Sequence, residues 1–124
     1  NNIVYRSSWE RRFMVYCDNN EAITFWSSEE LVIPYISPVD RRQHKYYPDF
    51  VIKIQEENKT RTIVIEVKPK KETKPPRKRT KITPRYLSEM KTWSINEAKW
   101  KYAKEFCEDR KWEFKILTED QLAQ

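Results

Sequence analysis

Tyr47-Pro48-Asp49-Phe50-Val51-Ile52-Lys53-Ile54-Gln55 and, a little further on, Arg61-Thr62-Ile63-Val64-Ile65-Glu66-Val67-Lys68 decide how this chain folds. Both stretches alternate. Phe50, Ile52 and Ile54 share one parity of the first, and Ile63, Ile65 and Val67 share one parity of the second. Period-two alternation rich in β-branched residues marks a strand with one face against a core. The gap between them, residues 56–59, is short and polar, so the pair reads as a hairpin. No Asn-Gly turn pins its register. If the two apolar parities meet on the core face, Asp49, Glu66 and Lys68 fall together on the other face.

Working outward, residues 8–20 read as a helix. Trp9, Phe13, Tyr16 and Cys17 form its apolar stripe, Ser7 or Ser8 can cap its start, and Asn19–Asn20 can end it. Short strands are expected at residues 22–26 and 31–36, the second pushed towards a sheet edge by Pro34. After the hairpin, Pro69, Pro75, Pro76 and Pro84 break regular structure, which predicts an exposed, mobile loop over about residues 69–85. Ser94-Ile95-Asn96-Glu97 matches a capping box, so a second helix is expected from there to about Arg110. Its stripe would be Ile95, Ala98, Tyr102, Ala103 and Phe106. Residues 112–117 alternate as a last strand, and Thr118-Glu119-Asp120-Gln121 starts a short final helix.

Bulk composition agrees with one folded domain spanning residues 1–124. The chain has 124 residues, 38% of them hydrophobic, with 5 Trp, 7 Tyr and 5 Phe as apolar anchors that a disordered chain would lack. No window is apolar enough to cross a bilayer, and no secretory signal is visible. The chain begins at Asn1, which leaves room for a native segment ahead of it. Cys17 and Cys107 belong to no CxxC pair and there is one histidine, so two buried reduced thiols are expected and a zinc site is not. The absence of glycine excludes glycine-rich phosphate loops, dinucleotide fingerprints and a serine nucleophile elbow. A Ser-His-Asp arrangement would have to use the lone His44, and nothing supports one.

The net charge of +6 is unevenly placed: residues 68–85 hold nine basic residues and one acid, so that stretch carries +8 and the rest of the chain −2. A basic segment on a near-neutral body suggests a polyanion held at one face, while a solvated loop remains the ordinary alternative.

The chemistry rests on Asp49, Glu66 and Lys68. Two carboxylates brought close repel unless a cation lies between them, and oxygen donors suit a hard divalent ion such as magnesium. Such an ion polarises a phosphodiester and acidifies a bound water; a neighbouring lysine can hold that water or neutralise charge on phosphorus. On residues alone, an ordinary Pro-Asp turn and a solvated, weakly salt-bridged sheet face stay open beside this reading.

Pro48-Asp49 followed by Glu66-Val67-Lys68 at the end of an apolar strand resembles the PD-(D/E)xK signature of restriction-endonuclease-like nucleases. Together with Tyr5-Arg6-Ser7-Ser8-Trp9-Glu10, Tyr46-Tyr47-Pro48-Asp49-Phe50 and Ile65-Glu66-Val67-Lys68-Pro69, it is similar to the head-completion nucleases of tailed phages. The related endonuclease subunits of heteromeric transposases look similar too. The resemblance spans residues 3–69 well and the rest loosely. It implies an α/β fold with a central mixed sheet flanked by helices. It implies that Asp49, Glu66 and the Val67 backbone carbonyl bind Mg²⁺ (with Mn²⁺ able to substitute), that Lys68 is the catalytic lysine, and that Glu10 completes the site. By sequence alone Glu10 is an ordinary helix residue. His44 is a candidate phosphate contact or a plain surface histidine. Lys70, Lys71, Lys74, Arg77, Lys78, Arg79 and Lys81 would touch DNA backbone phosphates with little base specificity. The implied setting is DNA processing during head completion in the host cytoplasm, with phage head or portal proteins as possible partners, a virion-associated location as an alternative, and no membrane. A transposase-type subunit, a junction resolvase and a non-catalytic DNA-binding head protein are the competing readings.

Overall fold

The computed structural model describes residues 3–122, with side chains from Ser8 to Gln121. Tyr5, Arg6 and Ser7, which carried part of the resemblance and one proposed cap, lie outside the described side chains. The elements in chain order are α1 (Ile3–Asn19), β1 (Ile23–Ser28), β2 (Ile33–Ile36), β3 (Gln43–Tyr46), β4 (Phe50–Glu56), β5 (Lys59–Val67), a 3-10 turn (Lys70–Thr73), α2 (Pro84–Asp109), β6 (Glu113–Leu117) and α3 (Glu119–Leu122).

The expected hairpin is β4–β5. It is antiparallel, with Phe50 opposite Ile65, Ile52 opposite Ile63 and Glu56 opposite Lys59. The register that the sequence left open is therefore closed by a two-residue turn, Glu57-Asn58, with Glu57 at φ 41°. The main sheet runs β1-β4-β5-β6, with the hairpin in the middle. β1 is antiparallel to β4 and β6 is parallel to β5, so the sheet is mixed, as a restriction-endonuclease-like α/β fold requires. A parallel pair needs a long crossover, and α2 supplies it between β5 and β6. β2 and β3 form a separate two-stranded antiparallel sheet, with Pro34 tolerated because neither strand is central.

The two faces of the main sheet divide as the parity argument demands. On one, Phe50, Ile52, Ile63, Ile65 and Val67 pack against Phe13 and Cys17 of α1. On the other, α2 and the β2–β3 sheet close over the strands, burying Ile33, Tyr35, Tyr46, Trp100 and Ala103 with Phe114 and Ile116 half-buried beside them.

Several sequence expectations need correction. α1 begins at Ile3, so Ser8 lies inside the helix and cannot cap it. Tyr16 is 55% exposed and is not part of the stripe; Met14 packs there instead, on the flank that Phe13 and Cys17 turn to the sheet. α2 starts ten residues before Ser94. Its cap is Thr83, whose side-chain oxygen accepts the Tyr86 amide at 3.1 Å, with Pro84 in the first turn. Ser94 instead donates its hydroxyl to the Lys91 carbonyl within the helix. The early start also shortens the expected loop: Lys70–Thr73 form a turn, and Pro84 and Arg85 are already helical. The buried line of α2 is Asn96, Trp100, Ala103 and Cys107, with the expected Ile95, Ala98, Tyr102 and Phe106 half-buried along one flank.

Both cysteines are free and buried, as expected. Burial pushes each thiol up to about 11, so neither is a thiolate near neutral pH. No helix among the described residues is long and apolar enough to cross a membrane.

Without glycine, four turns among the described residues use other residues at positive φ: Glu29, Arg41, Glu57 and Lys111. Lys111 ends α2 in a Schellman arrangement, with the Trp112 amide on the Cys107 carbonyl at 2.8 Å and the Lys111 amide on the Glu108 carbonyl at 3.1 Å. A side chain in that region costs about 1 kcal/mol. Lys111→Gly should therefore raise the urea-unfolding free energy by roughly 0.5–1 kcal/mol. Thr83→Ala should lower it by about 1 kcal/mol while Ser94→Ala changes it little; a larger loss at Ser94 than at Thr83 would contradict this helix boundary.

Candidate active site

Asp49 sits at the first turn into β4, and the hairpin register sets it opposite Glu66. Both carboxylates are buried, at 4% and 5% exposure. Such groups are costly to bury unless hydrogen bonds or counter-charges hold them. Asp49 Oδ2 accepts the Val67 amide at 2.7 Å, beyond the last β4–β5 ladder pair. In a strand, the N–H and C=O of one residue project to the same side, so the Val67 carbonyl also faces the side of Asp49. The next amide, Lys68, turns the other way and donates to the Leu117 carbonyl of β6 at 3.0 Å. The Lys68 ammonium, 16% exposed, stands 3.9 Å from Glu66 Oε2. Asp49, Glu66 and Lys68 thus share the face that parity assigns them.

Two further residues at this face were not singled out from the sequence. Tyr46, buried at the end of β3, donates its hydroxyl to Glu66 Oε1 at 2.8 Å. Burial first, and the Glu66 charge second, push the phenol far above its ordinary range, so it stays a neutral donor. The Lys99 ammonium of α2 lies 5.6 Å from the Tyr46 ring centre and 5.9 Å from that of Tyr35. β3 itself was missed because Gln43-His44-Lys45-Tyr46 has no apolar alternation. Lys99 carried no signal that set it apart from the other lysines of its helix.

Glu10 is half-buried on α1, three residues before Phe13 and so on the same helix face. The Phe13 ring lies 4.7 Å from that of Phe50, next to Asp49, while Asp18 bonds Trp26 beside Ile52. The first half of α1 therefore points towards the Asp49 end of the hairpin, with Glu10 at that end. Among the described residues, no three of His, Cys, Asp and Glu converge closely enough to form a cage for an ion. Glu10 thus stands at the Asp49 end of the sheet, on the helix that packs against its apolar face.

His44 is exposed on β3, with Nε2 2.7 Å from Asp40 Oδ2 and its ring 5.8 Å from Tyr35. The Arg42 amide first, and then His44, hold the Asp40 carboxyl below its ordinary value. His44 shares the strand parity of Tyr46, which places it on the rim of the same face. Lys70 turns towards α3: its amide donates to Glu119 Oε1 at 2.7 Å and its ammonium lies 3.2 Å from Asp120. Lys71, Lys74, Arg77, Lys78, Arg79 and Lys81 are exposed.

The donors at the centre are all oxygens: two carboxylates and a main-chain carbonyl. Magnesium is commonly held by one or two carboxylates and completes its shell with water, so this set fits it without a third acid.

Comparison with known proteins identifies relatives. The family model described as TnsA-like endonuclease N terminal matches residues 20–119. The chain is 41% identical over 124 residues to the head completion nuclease of Enterobacteria phage T4, covering 97% of this chain and 81% of that protein. No solved structure is significantly similar to the chain. α1, and Glu10 with it, precedes the stretch that the family model matches.

The Tyr46–Glu66 contact is testable without any activity. A buried hydrogen bond to a charged acceptor contributes about 1.5–3 kcal/mol. Tyr46→Phe should lower the urea-unfolding free energy by that amount, and a loss below about 0.5 kcal/mol would mean that Glu66 does not depend on the phenol.

Proposed function

The chain belongs to the family of TnsA-like endonucleases, and from that premise we propose that it cleaves the DNA backbone by divalent-metal-dependent hydrolysis at Asp49, Glu66 and Lys68. The observation that carries this reading is the pair of buried carboxylates facing each other across the hairpin with an ammonium 3.9 Å from one of them.

Asp49, Glu66 and the Val67 carbonyl would hold the ion, Mg²⁺ or Mn²⁺ in its place. When bound, the ion supplies Lewis-acid polarisation of a phosphodiester and a more acidic water. The protein's own groups do the rest. Lys68 presents its ammonium to the scissile phosphate and offsets charge that builds on its oxygens. Tyr46 fixes one oxygen of Glu66 and leaves the other turned towards Lys68. Glu10, at the Asp49 end of α1, would complete the site as the resemblance implies. Lys71, Lys74, Arg77, Lys78, Arg79 and Lys81 engage successive phosphates. Lys70 joins them by exchanging Asp120 for DNA, and His44 meets the backbone at the rim of the β2–β3 sheet.

The biological setting proposed is head completion, taken from the relative of that name at 41% identity. In that setting the enzyme trims packaged DNA before the filled head joins its tail. The family model favours a second reading, a transposase-type subunit that needs a partner protein before it cuts.

Plasmid nicking decides between them. With magnesium, the isolated chain should nick supercoiled DNA, and EDTA should abolish the reaction. Asp49→Ala and Lys68→Ala should each lower the rate by at least about 10²-fold while DNA binding survives. Binding without cleavage in either magnesium or manganese would favour the partner-dependent reading. Binding itself should be strongly salt-dependent: about seven phosphate contacts give a slope near −6 in log K against log salt. A slope shallower than about −2 would remove the basic segment from the interface.

A further inference from the structure

Between the basic segment and the first half of α2 lies a cavity of about 340 Å³. Lys71 and Lys74 stand on one wall, and Ser88, Thr92, Trp93 and Asn96 on the other. Its surface is more apolar than polar, and its size is that of a small-molecule site. Two carboxylates, Glu72 and Glu89, also line it and balance the two lysines. A bare anion is therefore a poor occupant. The cavity suits a group with a flat apolar face, an edge that both donates and accepts hydrogen bonds, and a single charged end.

Those are the features of a nucleotide. Trp93 offers an aromatic face and is braced edge-on by Trp100, with ring centres 5.8 Å apart. Asn96 is the buried polar residue of α2, 8% exposed, and its amide carries donors and an acceptor for the edge of a base. Lys71 and Lys74 supply the cations that a flanking phosphate needs.

The cavity also lies beside the candidate catalytic centre by two routes. Lys71 follows Lys68 by three residues, at most about 10 Å of chain. Along α2, Asn96 precedes Lys99 by less than one turn, and Lys99 stands over the ring of Tyr46, which bonds Glu66. A nucleotide held there is within one or two steps of a phosphate at Lys68.

We propose that this cavity binds one unpaired nucleotide of the DNA strand, next to the phosphate being cut. A base stacked in a duplex cannot lie on Trp93, so the enzyme prefers frayed ends, single-stranded extensions or flipped-out bases over intact duplex. The inference rests on the DNA-cleaving function proposed above and adds the form of DNA that the site selects.

The test is equilibrium binding of the full chain in EDTA, where no cleavage occurs. Fluorescence anisotropy compares a blunt duplex with the same duplex carrying a short single-stranded thymidine extension. The extension should tighten binding about tenfold, the effect of one stacked base. Ser88→Tyr, which fills the cavity from an exposed helix position, and Trp93→Ala should each bring the ratio of the two affinities to about one. Thermal melts establish that both variants fold, and Ser88→Tyr alone decides if Trp93→Ala does not. Equal affinity of the wild type for the two duplexes, or a ratio that survives Ser88→Tyr, overturns the nucleotide cavity and leaves the nuclease reading standing. Failure to bind either duplex overturns both.

Discussion

The 2.7 Å hydrogen bond from the Val67 amide to Asp49 Oδ2 ties together the rest of this structure. It continues the β4–β5 ladder past its last main-chain pair, using a side chain where β4 has not yet begun. That single contact fixes the Asp49 carboxylate and sets the direction of the Val67 carbonyl. It also holds the end of β5 in line, so that the Lys68 amide reaches the other way to Leu117. Main-chain atoms cannot shift by less than a whole register step without losing the ladder. The relative positions of Asp49, Glu66 and Lys68 are therefore as rigid as the hairpin that bears them, as a preorganised site requires.

That rigidity has its foundation on the opposite face. Phe50, Ile52, Ile63, Ile65 and Val67 alternate with the polar residues and bury themselves against α1. Each core residue on one side positions a site residue on the other, because a strand cannot slide one without flipping both. The polar face gets its own support from Tyr46 and α2, with the phenol neutral and the Lys99 ammonium above the ring. Buried carboxylates survive there because the hairpin and the second sheet supply donors that solvent would otherwise give.

Parity made much of this legible. The hairpin, its core face and the convergence of Asp49, Glu66 and Lys68 all follow from period-two alternation, which depends on local geometry alone. Tyr46 and Lys99 could not be found that way: each reaches the face from an element whose placement is decided by tertiary packing. The start of α2 was misread for a related reason. Ser94-Ile95-Asn96-Glu97 has the local form of a cap, but a helix interior accommodates the same residues by turning the serine onto the Lys91 carbonyl. Thr83-Pro84 was the better signal, obscured because four prolines in one basic stretch suggested only a break. The turns were illegible because glycine, their usual marker, is absent, and Glu57 or Lys111 at positive φ gives no compositional hint.

The placement of the charge follows from topology. β5 and β6 are parallel, so the chain leaving Lys68 must travel the length of the sheet before it can pair again. A β4–β5 hairpin needs two residues to turn; this crossover takes 45, residues 68–112. The DNA contacts proposed above, apart from His44, lie within it: Lys68, the basic segment, and the cavity wall at Trp93 and Asn96. The crossover starts at the lysine of the site and returns over the tyrosine that holds the glutamate of the site. One obligatory connection thus brings the basic segment to the edge of the carboxylate pair. The parallel strand, added at the edge of an antiparallel hairpin, is what makes room for it.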